Sequence, residues 1–125
     1  MLDLIIKNGS CFINQDLKDQ DIAIKDGKIV SIGKVEDEAK EIYDAKGLTV
    51  LPGCIDTQTH FREPGSTDTE DLHSGGRAAV AGGITAVFEM PNTNPPTSTK
   101  KEFQRKLDLA KNRMYCNYAF YFGAT

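Results

Sequence analysis

Four polar or charged side chains stand at alternate positions of one short segment: Asp56, Gln58, His60 and Arg62. Alternate residues of a β-strand point to the same face of a sheet, so a strand here would present all four side chains together. His60 is the candidate metal ligand among them, because imidazole nitrogen commonly binds metal ions. A lone histidine on a strand is more often structural, so the case for a site depends on the elements that position this segment.

Residues 53–125 alternate between apolar runs and amphipathic stretches. The pattern predicts the order strand 54–61, helix 67–81, strand 84–90, helix 99–114 and strand 115–122. The capping-box patterns Thr67-x-x-Glu70 and Thr99-x-x-Glu102 predict the starts of the two helices, and Gly82-Gly83 predicts the end of the first. Glu63-Pro64-Gly65 is expected to shape the loop before the first helix. Such repeats require a parallel sheet, and β/α barrels build their active sites at its C-terminal edge, where His60 and Arg62 would lie.

Residues 1–52 show a different pattern, with short alternating runs and turn signals in place of helices. Asp26-Gly27 stands between two such runs and predicts a hairpin, because Asp-Gly suits a tight turn with positive φ at both central residues. Asn8-Gly9 is a second turn signal. We expect a small antiparallel β module that precedes the β/α units.

The composition excludes several classes of function. Fifteen Lys and Arg residues against eighteen Asp and Glu residues give a net charge of −3, so the basic surface of a nucleic-acid-binding protein is missing. Lys100-Lys101 and Arg105-Lys106 are expected to form a solvated helix face. The apolar runs are too short to span a membrane, and Asp3 and Lys7 interrupt the N-terminal run where a signal peptide would need apolar residues. The three cysteines are far apart and are expected to be reduced. We expect a soluble, cytoplasmic protein with no nucleic-acid or membrane partner.

Two motifs in this order resemble the amidohydrolase superfamily and, within it, the dihydroorotase family. They are Leu51-Pro52-Gly53-Cys54-Ile55-Asp56-Thr57-Gln58-Thr59-His60-Phe61-Arg62-Glu63-Pro64-Gly65 and Met90-Pro91-Asn92-Thr93-Asn94-Pro95-Pro96-Thr97. The resemblance implies an α/β fold: strands of a small β-sandwich domain over residues 1–52, then the first units of a metal-dependent (β/α)8 TIM barrel over residues 53–125. A complete barrel needs about 250 residues, so we expect an N-terminal fragment that is inactive by itself.

The resemblance also assigns roles to four residues. His60 matches the second histidine of the family's His-x-His metal motif on the first barrel strand. Arg62 and Asn92 match the residues that bind the substrate carboxylate, a task that suits the forked guanidinium group. Gln58 stands where the family has its first metal-binding histidine, so it is either a weak oxygen ligand or only a hydrogen-bonding group. The family's catalytic aspartate has no match, so no catalytic residue is expected within the chain.

The implied function is that of a cyclic amide hydrolase interconverting N-carbamoyl-aspartate and dihydroorotate in pyrimidine biosynthesis. Its expected cofactor is one or two Zn²⁺ ions, with another divalent metal as the alternative. Gln58 also fits a non-catalytic homologue that supports aspartate carbamoyltransferase, whereas Arg62 and Asn92 favour an enzyme. A sibling allantoinase or hydantoinase is the third reading. Besides the small-molecule substrate, the resemblance leaves two possible macromolecular partners: aspartate carbamoyltransferase and a second copy of the chain.

Overall fold

The computed structural model describes residues 1–124, and the chain divides into two compact units, Met1–Pro52 and Gly53–Thr125. Ten elements follow one another: β1 (Leu2–Ile13), β2 (Asp16–Lys25), β3 (Lys28–Gly33), β4 (Ala39–Asp44), β5 (Thr49–Val50), β6 (Cys54–Thr59), α1 (Leu72–Ala81), β7 (Ile84–Glu89), α2 (Lys100–Ala110) and β8 (Asn117–Phe120). Within the described part, neither helix has the length and apolar character needed to cross a membrane.

The first unit is a five-stranded sheet built around β1. β1 pairs antiparallel with β2, and β2 pairs antiparallel with β3 through the predicted hairpin, in which Asp26 and Gly27 have φ values of 52° and 70°. The prediction of an antiparallel module is wrong for β4 and β5, which pair with β1 in parallel. The reason is that residues 34–38 return the chain to the start of β1, where the amide of Leu2 donates to the carbonyl of Glu38.

The second unit has the predicted order of strands and helices. β6, β7 and β8 form a parallel sheet in that order, and α1 and α2 each connect one strand with the next. Its core contains the buried side chains of Phe61, Leu72, Val87 and Ala110. The carboxyl ends of the three strands therefore lie at one edge of the sheet, as a site built on strand ends requires.

Helix α1 begins later than the sequence pattern predicts. Its N-cap is Asp71, whose carboxylate accepts a hydrogen bond from the amide of Ser74 at 2.6 Å, while the hydroxyl of Ser74 accepts from the amide of Asp71 at 3.1 Å. This reciprocal pair takes the place of Thr67-x-x-Glu70, because residues 67–69 form a turn and the helix begins only at Leu72. The predicted end at Gly82 is confirmed.

Close packing between α1 and the end of β6 depends on a glycine. A Cβ atom at Gly75 would lie 2.4 Å from Cδ1 of Phe61, far inside normal contact distance. Phe61 is 6% exposed and directly follows His60 along the chain. Gly75 thus lets α1 pack closely against the segment that carries His60, the candidate metal ligand.

Candidate active site at the strand ends

The segment that carries the candidate residues is not a regular strand throughout. Between Asp56 and Thr59, β6 advances by three residues while the paired strand β7 advances by two, which is the mark of a bulge. Within this irregularity Oδ1 of Asp56 accepts a hydrogen bond from the amide of Gln58 at 2.9 Å. The expected alternation that would place Asp56 on one face with Gln58, His60 and Arg62 is therefore broken at the bulge. Asp56 makes a local structural hydrogen bond instead.

His60 and Asn92 are brought together from the ends of neighbouring strands. His60 follows β6 directly, Asn92 lies in the loop after β7, and Nδ1 of the ring is 2.9 Å from Oδ1 of the amide. An amide oxygen only accepts hydrogen bonds, so Nδ1 of His60 is the donor. In the neutral ring the other nitrogen, Nε2, then keeps its lone pair, which is the form in which histidine binds metals.

Gln58 and Arg62 are both exposed near this pair along the chain. Among residues 1–124, neither side chain takes part in a hydrogen bond or an ion pair. Arg62 has a φ of 60°, and its carbonyl accepts from the amide of Ser66 at 2.9 Å, so its backbone forms the sharp exit from the strand. The guanidinium group is therefore available for a ligand at the same edge as His60.

The loops after β6 and β7 hold each other through their backbones. The amide of Asn94 donates to the carbonyl of Pro64 at 2.9 Å. Gly65 has a φ of 127°, and a Cβ atom there would lie 2.9 Å from Cβ of Asn94, so only glycine permits this approach. The loop that carries Arg62 and the loop that carries Asn92 are consequently fixed against each other.

Glu63 anchors the first of these loops, in line with its expected role in shaping it. Its Oε1 and Oε2 atoms lie 2.7 Å and 3.0 Å from Nη1 and Nη2 of Arg113, and Oε2 also accepts from the amide of Leu72 at 2.9 Å. The Glu63 side chain is 9% exposed. Hydrogen bonding to this carboxylate raises the pKa of Arg113 further above its ordinary value, against the opposing effect of burial. The guanidinium group therefore stays charged, and its ion pair with Glu63 ties the loop to the start of α1.

A buried ion pair that the sequence pattern did not indicate lies beneath the second loop. Nζ of Lys106 is 2.5 Å from Oε2 of Glu89, and both side chains are almost fully buried. Burial raises the pKa of Glu89, while Lys106, the backbone of Phe61 and the His60 ring oppose the rise. The prediction that Lys106 belongs to a solvated helix face is wrong. Its spacing of three from Phe103 and four from Ala110 is the signal that places it on the apolar face.

The described residues supply part of a metal site. Nε2 of His60 is available as an imidazole ligand, and the amide oxygen of Gln58 is the nearest further candidate along the strand. Within residues 1–124 no cluster of three or more His, Cys, Asp or Glu side chains could hold an ion. The residues present thus fit one nitrogen ligand and one weak oxygen ligand, and a complete site would need further ligands.

Comparison with known proteins identifies a family and several relatives of this chain. Residues 49–125 match the model of the amidohydrolase family. Allantoinase from Escherichia coli O81 (strain ED1a) is 45% identical over 113 residues, which are 90% of this chain and 25% of that protein. This chain spans about a quarter of the length of the curated relatives it matches.

Solved structures give the fold. L-hydantoinase (dihydropyrimidinase) from Arthrobacter aurescens matches with a TM-score of 0.89 and 33% identity over 98% of this chain and 28% of that one. A D-hydantoinase matches with a TM-score of 0.81 and 36% identity over 96% of this chain and 26% of that one. The predicted fold class is confirmed: residues 1–124 correspond to the N-terminal part of a TIM-barrel hydrolase, and the barrel they begin is incomplete.

Proposed function

Because this chain belongs to the amidohydrolase family, we propose that the protein containing it hydrolyses cyclic amides. The observation that carries the proposal is the His60–Asn92 pair at the strand ends, with the unpaired guanidinium of Arg62 at the same edge. The named relatives, an allantoinase and hydantoinases, support this class of substrate. In this proposal residues 1–52 are strands of a small β-sandwich domain, and residues 53–125 are the first units of the catalytic barrel.

Each of the four site residues has a role in the proposed reaction. His60 holds a divalent metal through Nε2, since Asn92 occupies its Nδ1–H. A bound Zn²⁺, or another divalent ion, supplies Lewis-acid polarisation of the amide carbonyl and hydroxide near neutral pH. Asn92 keeps its Nδ2 hydrogens for the substrate, because only its oxygen is used by His60. Arg62 binds an anionic group of the substrate with its forked donors, and Gln58 is at most a weak oxygen ligand.

Dihydroorotate is the substrate that these roles favour. It carries a carboxylate that the free guanidinium of Arg62 and the amide of Asn92 can bind together. The motifs Phe61-Arg62-Glu63-Pro64-Gly65 and Met90-Pro91-Asn92 resemble the dihydroorotase family, and this resemblance supports a reaction in pyrimidine biosynthesis. A ring of the allantoin or hydantoin type is the second candidate, favoured by the 45% identity with allantoinase. The glutamine at position 58 favours the remaining alternative, a non-catalytic partner of aspartate carbamoyltransferase.

Hydrolysis assays on the full-length protein separate these candidates. Dihydroorotate, allantoin and hydantoin are offered in turn to the Zn²⁺-loaded protein, and ring opening is followed. Arg62→Met is expected to lower kcat/KM for dihydroorotate by about 10- to 100-fold, because a hydrogen-bonded charge on the substrate loses its partner. The matched control is Arg77→Met, which removes an exposed arginine on α1 and is expected to change nothing. Activity only on allantoin or hydantoin would show that dihydroorotate is not the substrate. Activity on none of the three would favour the non-catalytic alternative.

A further inference from the structure

The Glu89–Lys106 pair lies at the junction where β7 passes into the loop of Asn92. Nζ of Lys106 forms the ion pair with Glu89 and donates a hydrogen bond to the backbone carbonyl of Met90 at 3.0 Å. It also lies 5.2 Å from the ring centroid of Phe120. One ammonium group from α2 thus contacts the last residue of β7, the first residue after it and a side chain of β8. Lys106 of α2 therefore holds the carboxyl end of β7 in place.

Backbone contacts connect this end of β7 with His60. The amide of Met90 donates to the carbonyl of Thr59 at 2.9 Å, and Thr59 directly precedes His60. On the other side, Asn92 follows Met90 by two residues and accepts from His60. Met90 is therefore hydrogen-bonded to Thr59, the residue before His60. It also lies two positions before Asn92, which orients the ring of His60.

Stability alone is a poor explanation for a pair in this position. Removing two charges from water is costly, and replacing a buried ion pair with uncharged side chains of similar volume is often neutral or stabilising. Lys106 and Glu89 are both at 0% exposure, and the apolar ring of Phe120 is a neighbour of the ammonium group. What the charged pair provides, and apolar side chains cannot, is a directional contact with the carbonyl of Met90.

We propose that Glu89 and Lys106 are positioning residues that keep Asn92 in place against His60. Only the expected effect on catalysis rests on the proposed function, because the hydrogen bond between Asn92 and His60 exists without metal or substrate. The double variant Glu89→Gln/Lys106→Met removes both charges with little change in volume. Its matched control is Lys34→Met/Glu36→Gln, which removes an exposed ion pair of 2.6 Å in the first unit.

The decisive measurement is nitrogen NMR of the full-length, chelator-treated protein with ¹⁵N-labelled histidine, in which His60→Gln identifies the His60 signals. In the wild type we expect the neutral ring in the Nδ1–H form, set by Asn92. In the double variant we expect a mixture of the two tautomers at a melting temperature close to that of the wild type. After Zn²⁺ loading, kcat is expected to fall by about 10- to 100-fold with a smaller change in KM. The control should match the wild type in every readout.

A double variant whose His60 stays entirely in the Nδ1–H form would overturn the proposal. If the double variant does not fold, Lys106→Met alone decides by the same signals, because the carboxyl group that it leaves unpaired, whose pKa burial already raises, can take up a proton. Altered His60 signals in Lys106→Met support the positioning role, and unaltered ones overturn it. A wild type that opens none of the cyclic amides, combined with altered signals in the double variant, would remove the proposed function and leave the positioning role standing.

Discussion

Nδ1 of His60 lies 2.9 Å from Oδ1 of Asn92, across 32 positions of the sequence. The contact joins the carboxyl ends of β6 and β7 and gives Asn92 a task besides the substrate binding proposed for it. Because the amide oxygen accepts, it determines which ring nitrogen carries hydrogen and which is free for a metal. Two motifs that are separate in the sequence thereby become one site.

Asn92→Leu should weaken metal binding without touching any metal ligand. Leucine has a similar size but cannot accept the hydrogen bond from Nδ1, so His60 would sample both tautomers and lose its fixed orientation. We expect the affinity for Zn²⁺ to fall by about 10- to 100-fold, measured by competition with a chelating dye. Asn92→Asp is the control, since its carboxylate still accepts from Nδ1. Equal affinities of the leucine variant and the wild type would contradict the role of Asn92.

Gln58→His should increase the amount of metal that the full-length protein retains. An imidazole nitrogen binds Zn²⁺ more strongly than a neutral amide oxygen does, and position 58 is exposed on the strand that leads to His60. We expect more Zn²⁺ per protein in the variant after dialysis, measured by atomic emission. The control is Gln104→His, which adds a histidine to the exposed face of α2. Equal Zn²⁺ contents of Gln58→His and the wild type would show that position 58 is not a ligand position.

Turns and helix starts could be predicted from local sequence signals, because each depends on only a few neighbouring residues. Asp26-Gly27 predicted its hairpin correctly, and Thr99 caps α2 as its pattern indicated, with its hydroxyl accepting from the amide of Glu102 at 3.2 Å. The prediction of a turn at Asn8-Gly9 is wrong, because β1 continues through it, with Asn8 at a φ of 61° and a register shift between Ile6 and Gly9. A turn dipeptide thus marks a bulge when both flanking runs pair with the same strand.

Long-range pairing could not be predicted from local patterns. The extra residue of β6 between Asp56 and Thr59 exists only relative to β7, so the sequence of β6 alone suggested unbroken alternation. Lys106 was expected to be solvated because it stands beside Arg105 in a charged stretch of the sequence. The carboxylate that pairs with it lies 17 positions earlier, on another element. The candidate site residues could be identified from two motifs, whereas the partners of the supporting ion pairs, Glu63 with Arg113 and Glu89 with Lys106, depend on contacts between distant elements.

Glu63→Gln should destabilise the fold more than a matched change at the surface. The substitution removes the charge that faces Arg113, whose side chain is 34% exposed, so solvent screens part of the loss. We expect the free energy of unfolding in urea to fall by about 2 kcal/mol, below the range for a fully buried pair. Glu102→Gln is the control, because it breaks a 3.5 Å pair with Arg105, which is 52% exposed. Its expected loss is below about 1 kcal/mol. Equal losses would show that Glu63 is no anchor.

Asp71→Asn should remove part of the acid sensitivity of the fold. Hydrogen bonds from the amide and the hydroxyl of Ser74 lower the pKa of Asp71 below its ordinary value of 3.8. A carboxyl group whose pKa is lower in the folded state stabilises the fold fully above its unfolded pKa, and this contribution disappears as the pH falls through the folded pKa. Asparagine also caps helices but does not titrate in this range.

Melting temperatures of the wild type and Asp71→Asn, followed from pH 7 to pH values below about 3, test this linkage. We expect the wild type to exceed the variant at neutral pH and the difference to shrink as the pH falls below about 4. Asp68→Asn is the control, because this exposed carboxylate caps no helix, and the variant should follow the pH profile of the wild type. A constant difference between wild type and Asp71→Asn across the whole range would mean that the charge of Asp71 contributes nothing to the start of α1.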